Sequence, residues 1–354
     1  MSQGLRILYA GEMRANSKSR MMANVFKALG HQVDVVNIYG ADFLKNNKTL
    51  PLWARAYSKA TRLFDYWPDF GDFNKRLLDK IQNHEYDIFW VTKSPCLRPD
   101  VLSRLASQHP QCKRVYFTTD DLLNKSHSSA TLRKTWPLFD VVISTNPLNH
   151  EAEDQKRLGL NNTLWENFFF DENLHSRQVL TESEKELYDV DVVFVGSFEE
   201  ERASSLLALA RAGVVVRVWG NFWPPNWKRK HPNLQIQFQD LAITEYVKAL
   251  SGAKICLGFL RKANRDQVTG RSVEIPGVGG FLLTERTPIH LSMYVENEEA
   301  AFFSGDAELV EKVKYYLKEE ALREQIAAKG HQKVHEHGYS FQKRLPKILE
   351  RISN

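Results

Sequence analysis

The chain has 354 residues, 43% hydrophobic and 26% charged, with a formal net charge of +5. That is the composition of a globular protein. No apolar run approaches the roughly 20 residues that a membrane-spanning helix requires, and Arg6, Glu12 and Arg14 break up the apolar start, so no secretory leader is expected. Cys96, Cys112 and Cys256 are odd in number and far apart, which argues against a disulfide framework or a zinc site and for a reducing cytoplasm.

The mild positive charge suits a phosphate-bearing substrate, an anionic membrane face or simply a solvated surface. Without a compact Lys/Arg run it gives no reason to expect nucleic acid.

The first half holds five short apolar runs: LRILYA (Leu5–Ala10), VDVVNI (Val33–Ile38), DIFWVT (Asp87–Thr92), RVYFTT (Arg114–Thr119) and DVVISTN (Asp140–Asn146). Being β-branched and continuous, they predict parallel strands covered on both faces. Between the first two, Met21, Val25 and Leu29 recur at helical spacing behind Ser17, and Gly30 supplies the stop.

The loop AGEMRANSKSR after the first strand lacks the G-x-G-x-x-G fingerprint of a dinucleotide site, although Gly11 permits a tight turn and the start of the helix could receive an anion. Phe43–Phe70 looks like an insertion. Lys45, Lys48, Arg55, Lys59 and Arg62 meet no acid before Asp65, and Leu52, Trp53, Ala56, Tyr57 and Phe64 interleave with them. Such a stretch fits a membrane surface or a large acceptor, or a helix packed over the domain. In YFTTDDLLNKSH, Asp120 and Asp121 follow a strand directly and are read either as a base toward a hydroxyl or as a helix cap.

A polar, charge-rich segment at 171–189 reads as a linker. Strand–helix alternation then restarts with Val190–Ser197, Val214–Gly220, Leu234–Phe238, Lys254–Leu260 and Gly280–Glu285, and with helices at Glu200–Ala212 and Thr244–Leu250. Two doubly wound parallel sheets facing a cleft are therefore expected, with ligands beyond the carboxyl ends of the strands. The expected boundaries are 1–170, a linker at 171–189, 190–338, and a terminal helix at 339–354. The tail is helical, with Leu309, Val313, Tyr316 and Leu317 as one stripe and Phe341, Leu345, Ile348 and Ile352 as another. His331, His335 and His337 invite a metal reading, but no suitable third ligand accompanies them, and we expect no metal.

Chemistry concentrates in NRDQVTGRSVEIPGVGGFLLTE (Asn264–Glu285). Glu274 can accept both hydrogen bonds of a vicinal diol such as a ribose, Gly270 permits close backbone approach, and Arg271 offers a planar fork suited to phosphate. Asp266 stands eight positions before Glu274. Arg202, Arg261, Lys262, Arg265 and Arg271 are the cations near strand ends that could receive a diphosphate.

An acid, seven residues, then a Glu before a small-residue turn and an apolar strand resembles the E-x7-E signature of retaining GT-B glycosyltransferases. GRSVEIPGVGGFLLTE, with ENEEAAFFSGDAELVEKVKYYLKEEALREQIAAKGHQKV, resembles the CgeB-like (spore-maturation protein) glycosyltransferases over most of Asp191–Tyr339. ILYAG, KALGHQVDVV, VYFTTDD and FDVVISTN are in weaker register.

The resemblance implies a GT-B fold of two Rossmann-like domains, with the last helix returning to the first. It implies a nucleotide-sugar donor on the second domain and a glycan, lipid-linked or protein acceptor on the first, where Gly11, Glu12 and Arg14 form the acceptor-side loop. No metal or other cofactor is required. Glu274 would hold the ribose, Asp266 would face the sugar, Gly196 and Ser197 would offer amides to the diphosphate, Arg202 would pair with phosphate and Gly220 would contact the donor. The first acid is Asp, one methylene shorter than Glu, and Pro276 and Gly277 depart from a regular helix. A sugar-nucleotide epimerase and a non-catalytic nucleotide-sugar-binding protein are the alternatives. The expected location is cytoplasmic, with peripheral contact at the inner face of a membrane.

Overall fold

The computed structural model describes residues 4–40 and 51–353. They form two compact units. The first runs to Asn167 and includes Ala263–Arg265 and the residues from Leu345 onward; the second comprises Phe168–Lys262 and Asp266–Arg344.

The first unit is built on a parallel sheet of β1 (Arg6–Gly11), β2 (Gln32–Asn37), β3 (Ile88–Thr92), β4 (Lys113–Thr118), β5 (Val141–Ser144) and β6 (Thr163–Trp165). Their order is β2-β1-β3-β4-β5-β6, so the winding reverses between β1 and β3. Every residue of β3 is buried, as a continuous apolar run covered on both faces requires. The helix Lys18–Ala28 starts where expected: the Ser17 side chain accepts from the Arg20 amide, and Gly30 ends it at φ +88°. Met21 and Val25 are buried while Leu29, at the fraying end, is exposed.

The second unit repeats the plan with β7 (Val190–Val195), β8 (Val216–Trp219), β9 (Leu234–Ile236), β10 (Ala253–Gly258), β11 (Leu282–Glu285) and β12 (Ala301–Phe303). The order β12-β11-β10-β7-β8-β9 reverses between β7 and β10, and all pairs are parallel. Helices Glu200–Arg211 and Asp306–Lys318 cover one face, where Leu206, Leu209, Leu309 and Val313 close the core.

The charge-rich stretch read as a linker carries the helix Glu182–Tyr188. Thr181 and Glu184 form a reciprocal capping box at its start, and Tyr188 is buried among second-unit residues. Phe341–Ser353 is a single helix whose Phe341, Leu345 and Ile348 are buried.

Candidate functional site

In an open parallel sheet the carboxyl edge at the reversal point is left uncovered by the crossover helices, which makes it the natural ligand site. In the second unit that edge lies where β7 and β10 end. Gly196 follows β7 and donates its amide to the Trp219 carbonyl (2.8 Å), and the Phe198 amide donates to Asn221 (3.1 Å). The expectation that both Gly196 and Ser197 offer amides is therefore corrected: the adjoining chain consumes that of Gly196. The Ser197 amide makes no hydrogen bond among the described residues. Gly220 has a packing reason for its identity. At φ +154° a Cβ there would overlap the Gly196 carbonyl, so only glycine lets these two loops touch.

Arg202 ties the β7 and β10 ends together. It is buried and donates to the carbonyls of Ser197 (3.3 Å) and Leu260 (3.3 Å) and to the Glu199 carboxylate (3.0 Å). Burial lowers its pKa from the ordinary arginine value, with Glu199 acting against that. Its Nη1 and Nη2 hold the loop carbonyls and Glu199, a positioning role, while its buried Nε has no hydrogen-bond partner among the described residues, so a donor is left for the expected phosphate role. Arg261 pairs with Glu199 (3.0 Å) and Lys262 with Glu285 (2.6 Å), both at half-exposed positions.

The helix Arg271–Val278 begins beside this edge. Its cap, Gly270, has ordinary helical dihedrals, so no unusual backbone conformation calls for glycine there. Arg271 donates to the Val195 carbonyl (3.1 Å) and lies over the Tyr246 ring (5.6 Å). Glu274, one turn on and 4% exposed, accepts from the Tyr246 hydroxyl (2.9 Å). Burial opposes charge on Arg271, yet its pKa lies above the ordinary value through Tyr246, Glu274 and Asp240. Tyr246 itself is pushed far up by burial and then by Glu274, so it stays a neutral donor and Glu274 and Asp240 supply the supporting charge. Tyr246 left no signal in the sequence, since a buried tyrosine on a helix reads as core.

Pro276 is accommodated in this helix by its surroundings. Lacking an N–H, it leaves the Ser272 carbonyl four residues back without its helical donor, and the Tyr294 hydroxyl donates there instead (2.5 Å). Ser272 is held a second time, by His290, whose ring accepts at Nε2 from the Ser272 hydroxyl (2.7 Å) and donates from Nδ1 to the Glu285 carbonyl (2.7 Å). Fully buried, His290 has its pKa lowered to about 4 by desolvation, and it is a neutral strut. Asp266 closes the preceding turn, its amide donating to the Arg261 carbonyl (3.2 Å) and its carboxylate accepting from the Arg261 amide (3.4 Å).

In the first unit the equivalent edge is filled differently. The hydroxyls of Tyr9, Ser19 and Thr92 contact one another, with Ser19 and Thr92 at 2.6 Å, and a Cβ on Gly11 would overlap both Ser19 and Thr92. Glu12 is buried and paired with Arg14, and Ser17 donates to the Glu12 carbonyl (2.6 Å).

Asp121 is also corrected. Its buried carboxylate takes a bidentate fork from Arg265 (2.5 and 2.8 Å), and Arg265 also reaches Asp154 (2.8 Å). Both Asp121 oxygens are thereby committed, and Arg265 is removed from the phosphate candidates. Asp120 is only partly buried, with His127 at 3.8 Å.

The histidine trio does not converge on a cation. His331 bonds the Pro276 carbonyl (2.8 Å) and His337 the Lys333 carbonyl (3.2 Å), and no group of three or more metal-ligating side chains occurs among the described residues. A cavity of about 850 Å³, lined by Asp189, Lys254, Gly280 and Arg323, opens at the amino-terminal edge of the second sheet, away from the site described above.

The helix Leu52–Arg62 is packed, through its small side chains and not its large apolar ones. Ala54 and Ser58 are buried, while Leu52, Trp53 and Tyr57 face solvent. Lys45 and Lys48 lie outside the described residues.

Comparison with known proteins agrees with the fold. A family model described as glycosyl transferase-like matches residues 202–350. No curated protein matches the sequence. Among solved structures, sucrose-phosphate synthase from Thermosynechococcus elongatus superposes with TM-score 0.68 at 12% identity, covering 98% of this chain and 99% of that one. HepE of Anabaena, solved with UDP and glucose, gives 0.63 at 12% identity over 98% and 100%. An alpha-glucosyltransferase solved with UDP and a 13-mer DNA gives 0.65 at 14% identity over 99% and 100%. At these identities the likeness is one of fold, and the fold is the two-domain Rossmann-like GT-B arrangement.

Proposed function

We propose that the protein is a glycosyltransferase that moves a sugar from a nucleoside diphosphate sugar to an acceptor hydroxyl, with the donor held on the second unit. The observation that carries this reading is the pairing of Arg271 and Glu274, one turn apart at the β7/β10 reversal edge and inside the stretch matching the glycosyl transferase-like model. Glu274, oriented by Tyr246, accepts from the two ribose hydroxyls. Arg271 is fixed on the Val195 carbonyl with its charge sustained by Glu274, and together with the Ser197 amide it receives the diphosphate. Negative charge builds on that diphosphate as the bond to the sugar breaks, so a preorganised cation there lowers the barrier without a metal.

Asp266 faces the sugar, and transfer proceeds with retention, as the resemblance to the E-x7-E signature implies. The finer likeness to CgeB-like enzymes, acting in the cytoplasm on a surface glycan, glycolipid or protein, belongs to the same proposal.

Calorimetry with UDP tests the donor site. Glu274→Gln removes a charged acceptor and is expected to weaken binding by about 1.5–3 kcal/mol; unchanged affinity refutes the assignment. Product analysis with a UDP-sugar separates transfer from epimerisation and from binding alone. If Asp120→Asn abolishes transfer and the product is inverted, Asp120 is a general base and retention is wrong.

A further inference from the structure

The helix Leu52–Arg62 packs by its small side chains. Ala54, Ser58 and Thr61 recur at spacings of four and three and face inward, with Ala54 and Ser58 buried. At about 100° per residue, this fixes where everything else points. Leu52, Trp53, Ala56, Tyr57 and Ala60 fill one continuous arc of about 140° on the outer side, and Leu63 and Phe64 follow in the turn that ends the helix, which makes seven large or small apolar residues. Four of them are strongly exposed: Leu52 79%, Trp53 63%, Leu63 83% and Phe64 83%. Arg55, Lys59 and Arg62 occupy the arc between this apolar face and the inward one.

No acid falls within 51–64, and the next ones are engaged elsewhere. Asp65 pairs with Arg133, and Asp69 accepts from the Phe73 amide (2.7 Å) and from Asn74 (2.8 Å). Arg62 lies over the Trp67 ring (3.8 Å), and Trp53 and Tyr57 meet Phe70 edge-on (5.8 and 6.1 Å), so the face is a built surface.

Large apolar residues outward, cations along one flank and acids withdrawn is the pattern of a helix lying in a membrane interface, its rings among acyl chains and its cations among headgroups. We propose that Leu52–Phe64 docks the protein on an anionic lipid bilayer. No helix among the described residues is long and apolar enough to cross one, so this contact is peripheral. It holds whether or not the protein transfers sugar.

Flotation of the full chain with phosphatidylcholine vesicles, with and without phosphatidylglycerol, tests it. Co-flotation is expected with the anionic vesicles, is lost at high salt, and is absent with phosphatidylcholine alone. Arg55→Glu and Lys59→Glu should each weaken partition at least about fivefold, and Trp53→Ser with Phe64→Ser should abolish it. These side chains are exposed, so circular dichroism should be unchanged. No flotation, or flotation that all the variants retain, overturns the proposal. So does a dimer in sedimentation that Trp53→Ser/Phe64→Ser converts to monomer, which would assign the face to a second copy of the chain.

Discussion

The two sheets reverse their winding at equivalent places, β1/β3 and β7/β10, yet the chain equips those places in opposite ways. At the first, three buried hydroxyls satisfy one another around Gly11, and Burial holds the Tyr9 phenol well above its ordinary pKa, against the Ser19 and Thr92 bonds that lower it. At the second, Arg271 and Glu274 are brought to the edge, Arg271 on the Val195 carbonyl and Glu274 on the Tyr246 hydroxyl, in a helix held by Tyr294 and a neutral His290. Topology supplies a location in both units. Only the second equips it with charges suited to a diphosphate and a diol.

The contrast can be broken most sharply through His290. Unfolded, it takes a proton near pH 6.5; folded, it resists until about pH 4. Below pH 6.5 the unfolded state therefore binds more protons, and the stability that His290 contributes, complete above that pH, is lost as the pH falls toward 4. Denaturant titrations should show about 3 kcal/mol lost over that window. His290→Gln should flatten the slope whatever its effect at neutral pH, and an unchanged slope would remove His290 from the account.

Next in size is Arg271→Ala, expected to lower kcat about a hundredfold, some 2.7 kcal/mol, with a smaller change in donor KM. A rise in KM alone would mean that Arg271 binds the ground state only.

For the first unit, Gly11→Ala forces a methyl into the Ser19–Thr92 contact and should cost about 1–3 kcal/mol in unfolding free energy. An unaffected melting temperature would show that the hydroxyl cluster is loose. The smallest effect is expected from Asp121→Asn, about 1 kcal/mol of stability because Arg265 is partly exposed, with transfer preserved. Lost transfer at unchanged stability would restore Asp121 as a base.

The sequence carried much of this by itself. Ten of the strands were legible, most of them as apolar runs rich in β-branched residues. The two missed, β6 and β12, are three-residue edge strands; β9, equally short and also at an edge, was legible through the longer run LQIQF that contains it. The Thr181–Glu184 capping box was also present in the sequence, but the acidic composition around it masked the helix it starts.

Residue types determined that phosphate and diol chemistry should gather near Arg271 and Glu274, because a guanidinium fork and a carboxylate acceptor are legible one residue at a time. Which cations remain available for it depends on partners 3 to 144 residues away, and tertiary structure alone decides that. Arg202 keeps only its Nε unpartnered after holding two carbonyls and Glu199, and Arg265 is spent on Asp121 and Asp154. The outward face of Leu52–Arg62 was decided the same way. Helical spacing gives the arcs, but only packing chooses which one is buried, and here it chose Ala54 and Ser58 because small side chains let the helix backbone approach closely.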